Sequence, residues 1–121
     1  MPVIPRAAQS FAQLPGRETA DPLAGGPDVD ASVRVVRIAP GPRTPHRHPF
    51  SAEVFYVVAG TGVAWEDGQR TPVTAGDVVV LPRGVPHATV AGEEGMVLVC
   101  FFPHPDLRGN TEELAEPRID G

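Results

Sequence analysis

The chain has a single cysteine, Cys100, so an internal disulfide is excluded. Its neighbours Val97, Leu98, Val99, Phe101 and Phe102 are apolar, so Cys100 reads as a small buried hydrophobe. A reactive thiol would need a polar or positive setting. Basic residues are the minority, 10 against 15 acidic, with a net charge of −5 and a pI near 5.2. Nucleic acid is therefore not an expected partner, because phosphate binding needs a basic face. No apolar run reaches the length of a membrane span. The N-terminus shows no charged stretch followed by an apolar one, so no secretory leader is expected. These absences point to a cytoplasmic protein with no membrane partner. A long amphipathic helix is missing as well.

Proline and glycine are plentiful, with 15 and 13 copies in 121 residues. They fall between apolar, β-branched runs, with Ala59-Gly60 and Gly92 to Gly95 among the connectors, which is the pattern of short strands joined by tight turns. The expected strands are Val33–Ile38, Arg43–His48, Glu53–Val58, Gly62–Glu66, Gln69–Val73, Val78–Leu81, His87–Val90 and Met96–Phe102. Asp67-Gly68, set between Trp65-Glu66 and Gln69-Arg70, is a strong two-residue hairpin signal. The fold class is all-β, an antiparallel sandwich or barrel.

One domain is expected from the length. Residues 1–30 lack periodicity and read as an extended N-terminal arm. Residues 31–104 form the barrel and 105–121 a C-terminal tail. In the tail, Asn110 is placed to N-cap a helical turn through Glu112, Glu113 and Leu114, ended by Pro117. Three strands, Glu53–Val58, Val78–Leu81 and Met96–Phe102, are apolar at successive positions. A strand with one wet face should alternate. Both faces are therefore expected to be covered, by the arm, by a second subunit, or by both; a homodimer is the expected assembly.

Three of the four histidines and one glutamate carry the chemistry. His46 and His48 are two residues apart, which on a strand puts both side chains on one face, Cα atoms about 7 Å apart. Glu53 is an odd number of residues further on, but Pro49 and the Phe50-Ser51-Ala52 stretch should break the strand. Glu53 then opens the next strand and can face inward, with Phe55 and Val57 behind it. His87 follows a rigid turn, Pro82-Arg83-Gly84-Val85-Pro86. Three imidazoles and a carboxylate suit divalent iron, manganese, nickel, copper or zinc without selecting among them. Four ligands on an octahedral ion leave two positions open, whereas a structural zinc site is normally closed.

The two segments resemble the paired motifs of the cupin superfamily. His46, His48, Glu53 and Gly60 match the first motif, and Gly76, Pro82, Gly84 and His87 the second. Two positions depart: Gly41 lies one residue closer to His46 than the pattern asks, and Ala91 stands where the second motif often ends in asparagine. The resemblance covers residues from about 32 to 104 and includes one copy of the motif pair, unlike two-domain members such as the oxalate decarboxylases. It implies a small double-stranded β-helix, or jelly-roll barrel, with His46, His48, Glu53 and His87 holding one metal ion near one mouth.

Three function classes follow for such a site, each acting on a small organic molecule. The first, and the one expected from the sequence, is a dioxygenase-like oxidoreductase, with Phe55, Val57 and Phe101 or Phe102 as a water-excluding wall; the other two are alternatives. The second is a non-redox isomerase, cyclase or lyase. It needs a proton-transfer group, for which Tyr56, Glu66 and His104 are the candidates, although strand parity turns Tyr56 away from Glu53. The third is a ligand-binding module without turnover. Arg34, Arg37, Arg43 and Arg47 cluster near the first motif, where one could anchor an anionic ligand. The alternative is that they are solvated charges. His104, between two prolines, is expected in an exposed loop.

Overall fold

The computed structural model describes residues 1–121. After a short 3-10 turn at Arg6–Ala8, nine strands follow in chain order. They are β1 (Ala12–Leu14), β2 (Arg17–Ala20), β3 (Ser32–Ile38), β4 (His46–Arg47), β5 (Glu53–Glu66), β6 (Gln69–Thr74), β7 (Val78–Leu81), β8 (His87–Phe102) and β9 (Glu112–Glu113). No helix is long and apolar enough to cross a membrane.

Two long antiparallel strands, β5 and β8, organise the sheet. The second half of β8 lies between β3 and the first half of β5. Its first half pairs with β4 and with the second half of β5. β6 and β7 add to successive parts of β5. The result is the all-β jelly-roll architecture expected from the sequence.

Several boundaries differ from expectation. Glu53–Val58 and Gly62–Glu66 are one strand, as are His87–Val90 and Met96–Phe102. The glycines read as turns serve instead as bends in continuous strands. The ladder shifts register between Val57 and Ala59 and again between Gly60 and Gly62. Gly60 has a φ of +90°, and a Cβ there would run into the Gly95 carbonyl. Only glycine fits such a close approach. By contrast, Asp67-Gly68 is the hairpin turn it promised, with both residues at positive φ. The expected strand Arg43–His48 shortens to β4, since Pro42 and Pro45 bring no N–H to a ladder. Arg43 instead makes a two-way backbone bridge with Ile119, at 2.9 and 2.7 Å.

The first 30 residues contain more regular structure than an irregular arm. β1 and β2 form a hairpin through Pro15-Gly16, and β2 extends the sheet beside β3. The tail is not helical. Glu112–Glu113 pairs with β4, and the buried Asn110 side chain bonds to Ser51 and the Phe50 N–H rather than to the N–H groups of a helix start. Sheet pairing and side-chain burial here override local capping preference.

Burial alternates along the strands even where hydrophobicity does not. Phe55, Val57, Leu81, Leu98, Cys100 and Phe102 face inward and join one core cluster with Val36, Ile38 and Leu107. Each such large side chain contributes about 1.5–3 kcal/mol by leaving water. Trp65, Ala88, Val90 and Ile119 form a second cluster that ties down the tail. The outward residues Tyr56, Val58, Val78, Val80, Val99 and Phe101 stay exposed. The hairpin of the arm lies beyond β3, so these side chains have no cover from within the chain.

Candidate metal centre

Each of the four expected side chains is delivered by a different local device. β4 ends at Arg47, residues 48–52 bend, and β5 starts at Glu53, so the carboxylate turns inward as the proline break requires. His46 stands directly opposite His87 in the β4–β8 pair. The Pro82–Gly84 turn is fastened to the first motif by the Gly84 N–H, which donates to the His48 carbonyl at 2.9 Å. Gly84 takes a φ of +77° there. That turn sets the start of β8 and with it His87.

The donor atoms of His46, His48, Glu53 and His87 lie within 4.8 Å of one another, and all four residues are buried. The ring centroids are 4.5 to 5.1 Å apart. His48 Nδ1 donates to the Asn110 carbonyl at 2.8 Å, and His87 Nδ1 donates to the Val85 carbonyl at 3.0 Å. A carbonyl only accepts, so in the neutral rings each Nε2 carries the lone pair. Both Nε2 atoms face the same Glu53 oxygen, Oε1, each at 3.0 Å. His46 Nδ1 is buried without a partner. Several electron-rich atoms thus crowd one point, an arrangement that fits a cation between them. The set could hold a metal ion.

The electrostatics suit that role. Burial, with His87 and Arg17 beside it, pushes His46 well below its ordinary 6.5, so the ring stays neutral. Burial pushes the Glu53 carboxyl upward, but hydrogen bonds and positive charge from His48 and His87, which need a proton on each Nε2, outweigh it and hold the group well below its usual range; a cation in the place of those protons acts in the same direction. Neutral imidazole and ionised carboxylate are the ligating forms. Burial, reinforced by Glu53, pushes the Cys100 thiol well above its ordinary value. That agrees with the inert reading of this cysteine.

The cavity at the four residues has a volume of about 20 Å³, enough for one water or ion. Phe55, Phe102, Cys100 and Thr89 line it, together with Arg17, Arg34 and Arg43. A larger open groove, about 680 Å³ between the β1–β2 hairpin and the bend of β8, contains none of the four donors.

The structure divides the remaining expectations. Arg34 and Arg43 are buried in the barrel. Arg37 lies over the Phe11 ring at 3.7 Å, and Arg47 is half exposed and paired with Glu112 at 3.0 Å. None of Tyr56, Glu66 and His104 lines the cavity. Tyr56 is outward and 49% exposed, as strand parity requires. His104 sits half-buried in a loop with its ring stacked on Phe50. Phe101, one of two alternatives for the wall, faces out, while Phe102 packs against His48 at 4.7 Å.

Two participants escaped the sequence reading. Asn110 donates through its side-chain amide to Ser51 Oγ and accepts from the Phe50 N–H, both at 2.8 Å. These bonds hold the carbonyl that orients His48. Arg17 is held by both Glu113 oxygens, at 2.9 and 3.2 Å. Each partner lies about 60 to 100 residues away in the chain, so no local spacing could reveal it.

Comparison with known proteins agrees with this architecture. Residues 34–102 match the family described as Cupin domain. An uncharacterised protein of Methanocaldococcus jannaschii, MJ1618, is 30% identical over 71 residues, covering 57% of this chain and 56% of that protein. The pectin degradation protein KdgF of Dickeya dadantii is 32% identical over 59 residues, 49% of this chain and 54% of its own. The chain thus spans about half the length of the curated relatives it matches. Among solved structures, Streptomyces Pac13 with uridine superposes with a TM-score of 0.78 at 17% identity, over 100% of this chain and 93% of its own. An oxalate decarboxylase–formate complex from Lactobacillus farciminis gives 0.75 at 23% identity, over 89% of this chain and 34% of that one. At such identities the likeness concerns the fold. With a family match over more than half its length and a strand order to suit, the chain belongs to the cupin domain family.

Proposed function

We propose that His46, His48, Glu53 and His87 bind one divalent transition metal ion, and that the protein is a metal-dependent enzyme acting on a small organic molecule. The observation that carries this reading is the pair of Nε2 atoms facing one carboxylate oxygen at 3.0 Å. Without a positive charge at that point, a metal ion or a proton on each ring, the contact sets acceptors against an anion in a buried site.

A divalent ion bound there supplies Lewis acidity toward a substrate oxygen. The chain supplies the rest. Asn110 holds His48 in one tautomer. Phe55 and Phe102 keep water from the buried side. Of the three arginines that line the cavity, Arg17 and Arg34 are paired with Glu113 and Asp21, and the unpaired charge of Arg43 favours negative charge developing on a substrate.

That charge supports a non-redox reaction, a lyase or isomerase, as the leading reading. The names of two structural neighbours, a nucleoside dehydratase and an oxalate decarboxylase, lean the same way. The dioxygenase expected from the sequence is the second reading, supported by the aromatic wall of Phe55 and Phe102. Elemental analysis of protein purified without a metal-affinity tag comes first. Turnover of hydroxy acids, β-diketones and catechols is then followed with and without oxygen. Turnover in strict anaerobiosis supports the lyase or isomerase. A strict oxygen requirement supports the dioxygenase, and bound metal with no turnover leaves a ligand-binding module.

Assembly is a separate matter. The register aligns Val80, Val54, Phe101 and Val33 in one row across β7, β5, β8 and β3. Val78, Tyr56, Val99 and Val35 form the next row. This apolar outer face supports the homodimer, with each copy covering the other.

A further inference from the structure

The cavity at the four donors is closed. Every residue that lines it is buried, and its volume of about 20 Å³ has room for an ion but not for an organic molecule beside it. A metal and a substrate therefore need an entrance that opens.

The wall is not equally firm on all sides. β3, β5 and β8 are joined by long ladders. The segment 40–47, which carries His46, is not. Pro40, Pro42 and Pro45 bring no N–H to a ladder. The segment meets β8 through a bridge at Pro40–Ala91, the pair His46–His87 and a side-chain bond from Arg43 to the Thr89 carbonyl. The tail holds it from outside. The Leu114 N–H donates to the Pro45 carbonyl at 2.9 Å, Arg43 and Ile119 exchange both backbone bonds, and Glu112 and Glu113 pair with Arg47 and His46.

The tail is anchored at two points, Asn110 and Ile119, which are 0% and 1% exposed. Between these anchors, residues 111–118 are exposed or half-buried. Exposed backbone bonds with few buried apolar contacts mark the parts of a fold that open first. One side chain of this stretch reaches beyond β4. Glu113 accepts from Arg17 of the β1–β2 hairpin with both oxygens, at 2.9 and 3.2 Å. The pair ties the hairpin to the tail across the segment that presents His46. The Glu113 side chain is 34% exposed, so water can take up its carboxylate when the pair parts. Arg17 then keeps its bond to the Pro15 carbonyl, at 3.0 Å.

We propose that residues 111–118 form a strap across the entrance to the metal cavity, latched by Arg17 and Glu113, and that parting of this latch frees segment 40–47 to admit the metal and a substrate. This inference rests on the metal-dependent reading above and adds a gate to that site.

The gate is read by stopped-flow uptake of zinc by the stripped full-length protein, and by release of that zinc to a chromophoric chelator. Glu113→Gln keeps the size of the side chain and removes its charge. Uptake and release should both quicken about 10-fold, from the loss of charged hydrogen bonds. The dissociation constant should move far less, because a gate acts alike on entry and exit. Arg47→Cys combined with Glu112→Cys sets two exposed thiols opposite each other in the β4–β9 pair, within reach of a disulfide. Oxidation should slow both rates and reduction should restore them. This double variant also serves if the glutamine variant does not fold. Rates left unchanged by Glu113→Gln overturn the proposal. So does faster release alone with affinity falling to match, or equal rates in the oxidised and reduced double variant. A wild type that takes up no zinc sinks the metal reading instead. The strap is then read in the metal-free protein by hydrogen exchange of the Leu114 amide, which should be faster in Glu113→Gln and slower in the oxidised double variant. Exchange that responds to neither change overturns the strap.

Discussion

The main-chain carbonyl of Asn110 accepts the Nδ1 proton of His48 at 2.8 Å, across 62 residues of sequence. The tail thereby determines which nitrogen of His48 faces Glu53. Asn110 can do this because its own side chain is bonded to Ser51 and to the Phe50 N–H.

Asn110→Ala removes both of those bonds and frees the carbonyl. Loss of an outer partner of a ligating histidine weakens metal binding by about 10- to 100-fold. Competition with a chromophoric chelator measures this. The same variant should lose about 1–3 kcal/mol of stability, since it leaves buried polar groups unpaired.

Acidification should destabilise the metal-free protein in a defined order. The folded-state value of His46 lies well below its ordinary 6.5. As the pH falls below 6.5, the unfolded chain binds a proton that the folded chain refuses, so stability drops. Glu53 is likewise depressed from 4.5, so its contribution is complete above that pH and is lost at lower values. Urea midpoints should therefore fall between about pH 7 and pH 5, and His46→Gln should flatten that slope.

A Cβ on Gly62 would strike the Val90 carbonyl and press on the Met96 sulfur at 2.6 Å. The two long strands cross closely here, and backbone can yield little. Gly62→Ala should cost about 1–3 kcal/mol, as overpacking does. Chemical denaturation checks it. At Gly68, where nothing lies within 4 Å, the strain comes from a φ of +91° alone.

How much of this was legible beforehand depends on distance along the chain. His46, His48, Glu53 and His87 could be chosen because Pro49 and the Pro82–Gly84 turn act locally on strand direction. Asp67-Gly68 was legible for the same reason. Gly60, Gly92 and Gly95 misled, because a glycine that permits a close crossing looks like one that makes a turn. The tail misled more deeply. Glu112–Glu113 pairs with Arg47 and His46, and Asn110 is fixed by Ser51 and Phe50. Those partners lie far from the tail in sequence, so the only local signal was a capping pattern that tertiary pairing overrides.

The outer face of β7, β5 and β8 should set the oligomeric state. Val80→Lys combined with Tyr56→Glu places charge at two residues that are 62% and 49% exposed in the single chain. The barrel interior is untouched by either change. Sedimentation should show a dimer for the wild type and a monomer for the double variant, with equal far-UV spectra. A wild type that sediments as a monomer at high concentration contradicts the homodimer.

The central claim is that four side chains close on one divalent ion. Metal titration of the stripped wild type, beside His48→Ala and His87→Ala, tests it most directly. One equivalent should bind to the wild type and none to either variant, while all three keep the circular dichroism of a folded β protein. Wild-type protein that binds no metal, or variants that bind a full equivalent, would contradict the account.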